Sequence, residues 1–205
     1  MAILKGNLHA HTTFSDGRFP IEEVVSRYRD LGYDFLAITD HDDLIEPDYW
    51  FNIPAGDDRM IILPGVELDY KPLAQHVGKV TGDRETLYIL NHPARYGLTV
   101  DQTLRRIRRI GNDWFPIHAV EVSDTGVYRA EYDVDAIELP KVATDDSHND
   151  DHIGRAWIEV SASRNPDAIL RSIKAGDFAV RFGSGGVAGP TPRPRADDAT
   201  PPKAS

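Results

Sequence analysis

Asn7-Leu8-His9-Ala10-His11-Thr12-Thr13-Phe14-Ser15-Asp16-Gly17 decides how the whole chain is read. The apolar run Ala2-Ile3-Leu4 leads into it, and turn residues followed by a helical pattern come after it. It therefore reads as the C-terminal end of a first strand running out into a loop. Residues i and i+2 of a strand point to the same face, so His9 and His11 present two imidazoles side by side, a pair able to grip one transition metal. Asp16 adds a carboxylate from the loop, and Gly17 permits a tight turn beside whatever is bound there.

Working outward, the same signature recurs. Pro20 to Leu31 reads as a helix: proline at its start, Glu22 and Glu23 in its first turn, Gly32 at its stop, and Val24, Val25, Tyr28 and Leu31 on one face. Asp34 to His41 has an apolar centre, as a parallel strand covered on both faces requires, and ends in Asp40-His41-Asp42-Asp43. Met60 to Glu67 is an apolar strand delivering Glu67, and Gln75-His76-Val77-Gly78 follows in a loop-like stretch after Pro72. Leu87 to Leu90 runs into Asn91-His92-Pro93. Val100 to Ile110 reads as a helix with Arg105, Arg106, Arg108 and Arg109 on its surface. Ala119 to Val122 delivers Glu121, and Lys141 to Thr144 runs into Asp145-Asp146-Ser147-His148. Trp157 to Val160 reads as a late strand, Asn165 to Ala175 as a last helix closed by Gly176, and Phe178-Ala179-Val180 as a final short strand.

Strand after strand thus ends in His, Asp or Glu. In barrels of parallel strands the active site lies at the C-terminal strand ends, and right-handed crossovers gather those ends together. A small, irregular α/β barrel is the simplest architecture that collects all these side chains. A doubly wound open sheet would struggle to gather six or seven strand ends.

Composition bounds the chemistry. The 205 residues are enough for one domain with a sizeable core, and 40% hydrophobic with 27% charged residues is ordinary for a globular protein. The net charge of −10 argues against a broad duplex nucleic-acid surface. It fits acids that serve as ligands to bound cations. The absence of cysteine excludes disulfides, thiolate zinc sites and thiol nucleophiles. No apolar run approaches the ~18 residues of a membrane span, and the N-terminus lacks a secretory signal, so the expectation is a cytoplasmic protein with no membrane partner. From Gly183 onward glycine, proline and charge replace apolar residues, which predicts a disordered tail over 183–205 behind a single domain over 1–182.

Six separate motifs resemble those of the PHP family, named for polymerase and histidinol phosphatase: His9-x-His11 with Asp16-Gly17, Thr39-Asp40-His41, Gly65-Val66-Glu67, His76-Val77-Gly78, Asn91-His92-Pro93 and Asp146-Ser147-His148. They run in the family's order, with no inserted domain visible between Asn91 and Asp146. The resemblance implies a distorted seven-stranded (β/α)7 barrel holding two to three divalent ions, Zn, Mn or Fe. It implies one ion on His9, His11, Glu67 and Asp146; a second on Glu67, His76 and His92; and a third on Asp16, His41 and His148. It further implies phosphate-ester hydrolysis by a metal-bridged hydroxide, with Glu67, Asp146 and His148 as the catalytic set. The partner would be a small phosphorylated substrate, a nucleotide or an oligonucleotide end.

Arg18, Arg95 and Arg155 each stand close in sequence to a metal motif and are the candidate phosphate contacts, because a guanidinium suits bidentate phosphate binding. Gly154 to Val160, with the helix ending at Gly176, is similar to a PHP branch that hydrolyses esters and carbamates, which keeps that chemistry open. A non-catalytic metal-binding accessory module is the other alternative. Glu121 reads equally as a substrate or metal contact and as an ordinary ion-pair residue. Asp40 and Asp145 read as acceptors that orient imidazoles or as surface acids, and Asn91 as a further orienting group or a substrate contact. His118 and His152 read as structural or exposed, and Asp42, Asp43, Asp150 and Asp151 as a solvated rim.

Overall fold

The computed structural model describes residues 2–183. The predicted tail beyond Gly183 lies outside the described residues. In chain order the elements are β1 (Ala2–Asn7), α1 (Ile21–Asp30), β2 (Phe35–Ile38), α2 (Tyr49–Asn52), β3 (Ile61–Tyr70), β4 (Gln75–Thr81), β5 (Thr86–Leu90), α3 (Val100–Asp113), β6 (Ala119–Glu121), β7 (Ser123–Asp124), β8 (Val127–Tyr128), β9 (Lys141–Val142), β10 (Ala156–Ala162), α4 (Pro166–Ala175) and β11 (Phe178–Phe182). Nine strands form one sheet in the order β11-β10-β1-β2-β3-β4-β5-β6-β9, and β7 and β8 make a separate small ribbon.

Seven of the nine strands, β1 to β6 and β9, form a nearly closed barrel. Its seam lies between the ends of β9 and β1, where Ala10 and Ser147 form a parallel bridge. The His11 N–H donates to the Ser147 carbonyl at 2.9 Å, and the Ser147 N–H to the His9 carbonyl at 3.4 Å. β10 and β11 extend the sheet on the other side of β1 in antiparallel register.

The sheet is mixed rather than wholly parallel. β1-β2-β3 and β5-β6-β9 pair in parallel, but β3-β4-β5 is an antiparallel meander. β3 to β4 and β4 to β5 are joined by connections of four residues, too short for the crossover that a parallel pair requires. His76, expected in a loop, sits in β4 opposite Asp69.

Side-chain alternation sorts the core into an inside and two outsides. Leu4, Phe35, Leu63, Val80, Ile89, Ala119 and Val142 take one side chain from each barrel strand and fill the interior, joined by Ile169, Leu170 and Ile173 of α4. The opposite faces of β2 and β3 carry Leu36, Ile38 and Ile62 against Val24, Val25 and Tyr28 of α1. Those of β4 to β6 carry Val77, Leu90 and Val120 against α3. The helices follow the local signals. α1 starts after Pro20, and Gly32 follows with φ +72°. α4 is capped by the Asn165 side chain and stopped by Gly176 at φ +78°. α3 runs three residues past its expected end, through Gly111, and begins with a reciprocal cap between Thr99 and Gln102. Among the described residues no helix is long and apolar enough to cross a membrane.

Candidate metal centre

Interior packing stops where the strands end, and polar side chains replace it. Glu67, near the middle of β3, is wholly buried. Its Oε1 lies 3.2 Å from His9 Nε2, 3.3 Å from His76 Nδ1 and 3.0 Å from His92 Nε2. Its Oε2 lies 3.5 Å from His11 Nε2 and 3.2 Å from His41 Nδ1. One carboxylate thus faces five imidazoles delivered by four strands. Asp146, also wholly buried, sets Oδ1 at 3.3 Å from the Nε2 atoms of both His9 and His11, which are themselves 3.1 Å apart. On the open side, half-exposed Asp16 reaches His11, His41 and His148 at 3.5, 3.6 and 3.3 Å.

All nine expected ligand residues therefore form one continuous cluster. Within it, ligand atoms of His11, Asp16, His41 and His148 lie within 4.8 Å of one another, as do those of His9, His11 and Asp146, of His9, Glu67 and His92, and of His41, Glu67 and His76. The groups overlap more than the expected three-way division, because His9, His11, His41 and Glu67 each belong to two of them.

The donor set fits divalent cations. Glu67 Oε2, Asp146 Oδ1 and His76 Nδ1 are buried without a hydrogen-bond partner, which in a protein interior costs free energy unless something else satisfies them. Imidazole and carboxylate oxygen together suit Zn, Mn and Fe. The electrostatics agree. Burial disfavours the charged forms of Glu67 and Asp146, yet His9 and its neighbours outweigh it and hold both carboxyls well below their ordinary range. Burial likewise opposes protonation of His9 and His76, but facing carboxylates raise both: Glu67 and Asp146 for His9, and Glu67 for His76. His11 is lowered by its burial.

Two of the nine residues carry backbone strain. His92 has φ +25° and Asp146 φ +45°, in the left-handed region that L residues rarely adopt. Each such residue costs about 1–3 kcal/mol and persists where the surroundings over-determine it.

The residues behind the cluster correct the sequence reading. Asp40 and Asp145 are buried, but neither bonds an imidazole. Asp40 accepts the Thr12 N–H at 2.7 Å and the Thr12 and Ser15 hydroxyls at 2.8 and 2.6 Å, pinning the loop that carries Asp16. Asp145 accepts from the Gly154 and Ala156 N–H groups at 2.8 and 2.7 Å and lies 2.9 Å from the Tyr28 hydroxyl. Burial raises its carboxyl to about 6. The polar groups that do reach the cluster from behind are Asn91, whose amide donates to Glu67 Oε1 at 2.7 Å, and Glu121. Glu121 accepts the His92 N–H at 2.7 Å and stands 3.5 Å from His9 Nδ1. The signal for Glu121 was its place at a strand end, which sequence alone could not separate from an ion pair.

The three candidate arginines part company. Arg95 bonds Asp124 at 3.1 Å and also Asp146, so its guanidinium reaches the cluster. Arg18 is exposed, with its guanidinium over the Phe19 ring. Arg155 donates to the Thr125 carbonyl at 3.2 Å. His118 accepts the Tyr88 N–H at 3.0 Å, and His152 Nδ1 the His148 N–H at 3.3 Å. Of the expected surface arginines, Arg105, Arg106 and Arg109 line a groove of about 380 Å³ with Leu73, Leu98 and Gln102.

Gly17 is required for space against the chain's own backbone. A Cβ there would lie 2.5 Å from the His11 carbonyl carbon and 2.6 Å from the Thr12 nitrogen. Gly17→Ala should push the Asp16 loop off Thr12 and cost about 1–3 kcal/mol, or roughly 2–12 °C in Tm. Calorimetry checks this, and an unchanged Tm would show that the loop yields freely.

A model of the PHP domain matches residues 7–128, and one described as PHP-associated matches residues 128–178. Over 38 residues, 18% of this chain, the sequence is 50% identical to the DNA polymerase/3'-5' exonuclease PolX of Bacillus subtilis (strain 168), spanning 7% of that protein. A two-domain protein from Bacteroides vulgatus ATCC 8482, containing a predicted PHP-like metal-dependent phosphoesterase, superposes with TM-score 0.65 at 19% identity, covering 88% of this chain and 65% of that one. PsfC from Pseudomonas syringae PB-5123 superposes with TM-score 0.65 at 17% identity, covering 90% and 93%. The chain thus spans a small part of PolX and under two thirds of the Bacteroides protein, and at these identities the two structural likenesses are of fold. The barrel, the converging strand ends and a domain match over more than half its length together place this chain in the PHP family.

Proposed function

We propose that the chain is a metal-dependent phosphoesterase acting on a small phosphorylated metabolite or nucleotide. The observation that carries this reading is the convergence of nine ligand-type side chains around buried acceptor atoms that the protein leaves unpaired. The short likeness to PolX favours an ester of nucleotide type. Bound divalent cations would lower the pKa of water and neutralise charge developing on the phosphoryl oxygens.

The chain's own residues do the rest. His9, His11, Glu67 and Asp146 would hold one ion, Glu67, His76 and His92 a second, and Asp16, His41 and His148 a third at the open rim. Glu67, Asp146 and His148 form the catalytic set by fixing those positions. No nucleophilic side chain is needed. Of the three arginines Arg95 is favoured for the phosphate, because its fork already meets a carboxylate of the cluster.

The deciding experiment measures metal per chain together with hydrolysis of p-nitrophenyl phosphate and a panel of nucleotide and metabolite phosphates. Two to three ions with phosphate release are expected. A full complement without phosphate release, but with cleavage of carboxyl or carbamate esters, would replace the phosphate reading. Metal with no hydrolysis of either kind would make the domain an accessory module.

Arg95→Ala should raise KM for p-nitrophenyl phosphate by about 10–100-fold, the loss of one charged hydrogen-bonding partner. Arg95→Lys should recover only part of this, since lysine lacks the fork. A fall in kcat at constant KM would assign Arg95 to Asp146 instead of to the substrate.

A further inference from the structure

We infer that Glu121 is a positioning residue of the centre, fixing the tautomer of one ligand imidazole and the strained backbone of another. The inference rests on the metal-centre reading above. Glu121 ends β6 and is 1% exposed. An ionised carboxylate only accepts hydrogen bonds, so every partner it faces must donate. Its Oε2 takes the His92 N–H at 2.7 Å. Its Oε1 takes the Thr144 hydroxyl and is the carboxylate oxygen 3.5 Å from His9 Nδ1, a buried ring nitrogen that has no hydrogen-bond partner.

The consequences differ at the two histidines. At His9, an acceptor beside Nδ1 keeps the ring proton on that atom. The lone pair is then left on Nε2, the nitrogen that meets Glu67 and Asp146 at 3.2 and 3.3 Å. Carboxylate–imidazole pairs of this kind fix which nitrogen ligates and raise its basicity. At His92 the bond is to the backbone. φ is +25° there, and the N–H is directed at Glu121 instead of into a strand ladder. The same carboxylate therefore holds this unfavourable backbone while the His92 ring reaches Glu67 at 3.0 Å. Asn91 steadies Glu67 from one side, and Glu121 steadies two of its imidazole neighbours from the other.

The test has two independent arms. In ¹⁵N-labelled, zinc-loaded protein, the His9 resonances should report a protonated Nδ1 and a ligating Nε2. A proton on Nε2 would overturn the inference without any variant being made. In Glu121→Gln, competition between the protein and a chromophoric chelator for Zn²⁺ should show affinity lowered about 10–100-fold, a loss larger than any fall in metal-free stability. Affinity equal to wild type would overturn it, as would a loss that tracks an equal loss of metal-free stability. Wild-type protein that takes up no zinc would instead remove the metal-centre reading itself, a result distinct from either.

Discussion

Glu67→Gln protein should fold, lose at least one ion per chain, and lose about 10³-fold in kcat/KM, roughly 4 kcal/mol of transition-state stabilisation. The replacement has nearly the same shape, so the fully buried pocket on β3 still closes. What it loses is charge and acceptor capacity. Glu67 uses both oxygens on imidazoles, and an amide offers one oxygen and an NH2 whose protons repel a cation. Metal analysis and steady-state kinetics together check this. Full metal content with wild-type turnover would remove Glu67 from the centre. A further readout has a fixed sign: Glu67 is the largest influence holding His9 above its ordinary range, so His9 should titrate lower in the metal-free variant.

Stripping metal should be the second large effect. At free metal 1,000-fold above Kd, each site contributes about 4 kcal/mol of stability. For a chain of this size that is about 8–16 °C of Tm per ion. The pH dependence follows from His9 and His76, both raised above the imidazole reference. In metal-free protein their contribution is fully present below ~6.5 and is lost as pH rises through the raised folded values. Metal binding demands the opposite state, neutral imidazole. The Tm increment given by metal should therefore be small near pH 6 and grow as pH rises past the folded values of His9 and His76. Thermal melts with and without chelator across this range measure it. An increment that shrinks with rising pH would mean that His9 and His76 are not ligands.

The elements that sequence made legible are those whose side chains alternate or recur. The helices from Ile21 and Pro166 obeyed their caps and stops, and the ligand-delivering strands other than β4 were visible as apolar runs ending in polarity. Hidden were features decided by pairing and packing partners. β4 carries His76, but Pro72 and the short apolar segment read as a loop, and only pairing with β3 on one side and β5 on the other makes it a strand. Asp40 and Asp145 stand next to ligands in sequence, but both lie beyond the ends of their strands, and groups elsewhere in the chain take their carboxylates: Thr12 and Ser15 for Asp40, Gly154 and Ala156 for Asp145. Glu121 is the converse: its strand-end place marked it only weakly, and its contacts come from the ends of β5 and β9, which bring His92 and Thr144 to it.

The seam where Ala10 meets Ser147 has a consequence for the order in which the molecule opens. It is the narrowest join in the barrel, a single bridge beyond the short β9, yet it carries His9 and His11 on one lip and Asp146 and His148 on the other. Ions held across those lips would fasten the two ends of the barrel like a clasp, closing a loop of more than a hundred residues. Removing them should loosen the amide protons of His11 and Ser147 long before those of β2 or β3, so hydrogen exchange at these two amides becomes a local gauge of metal occupancy.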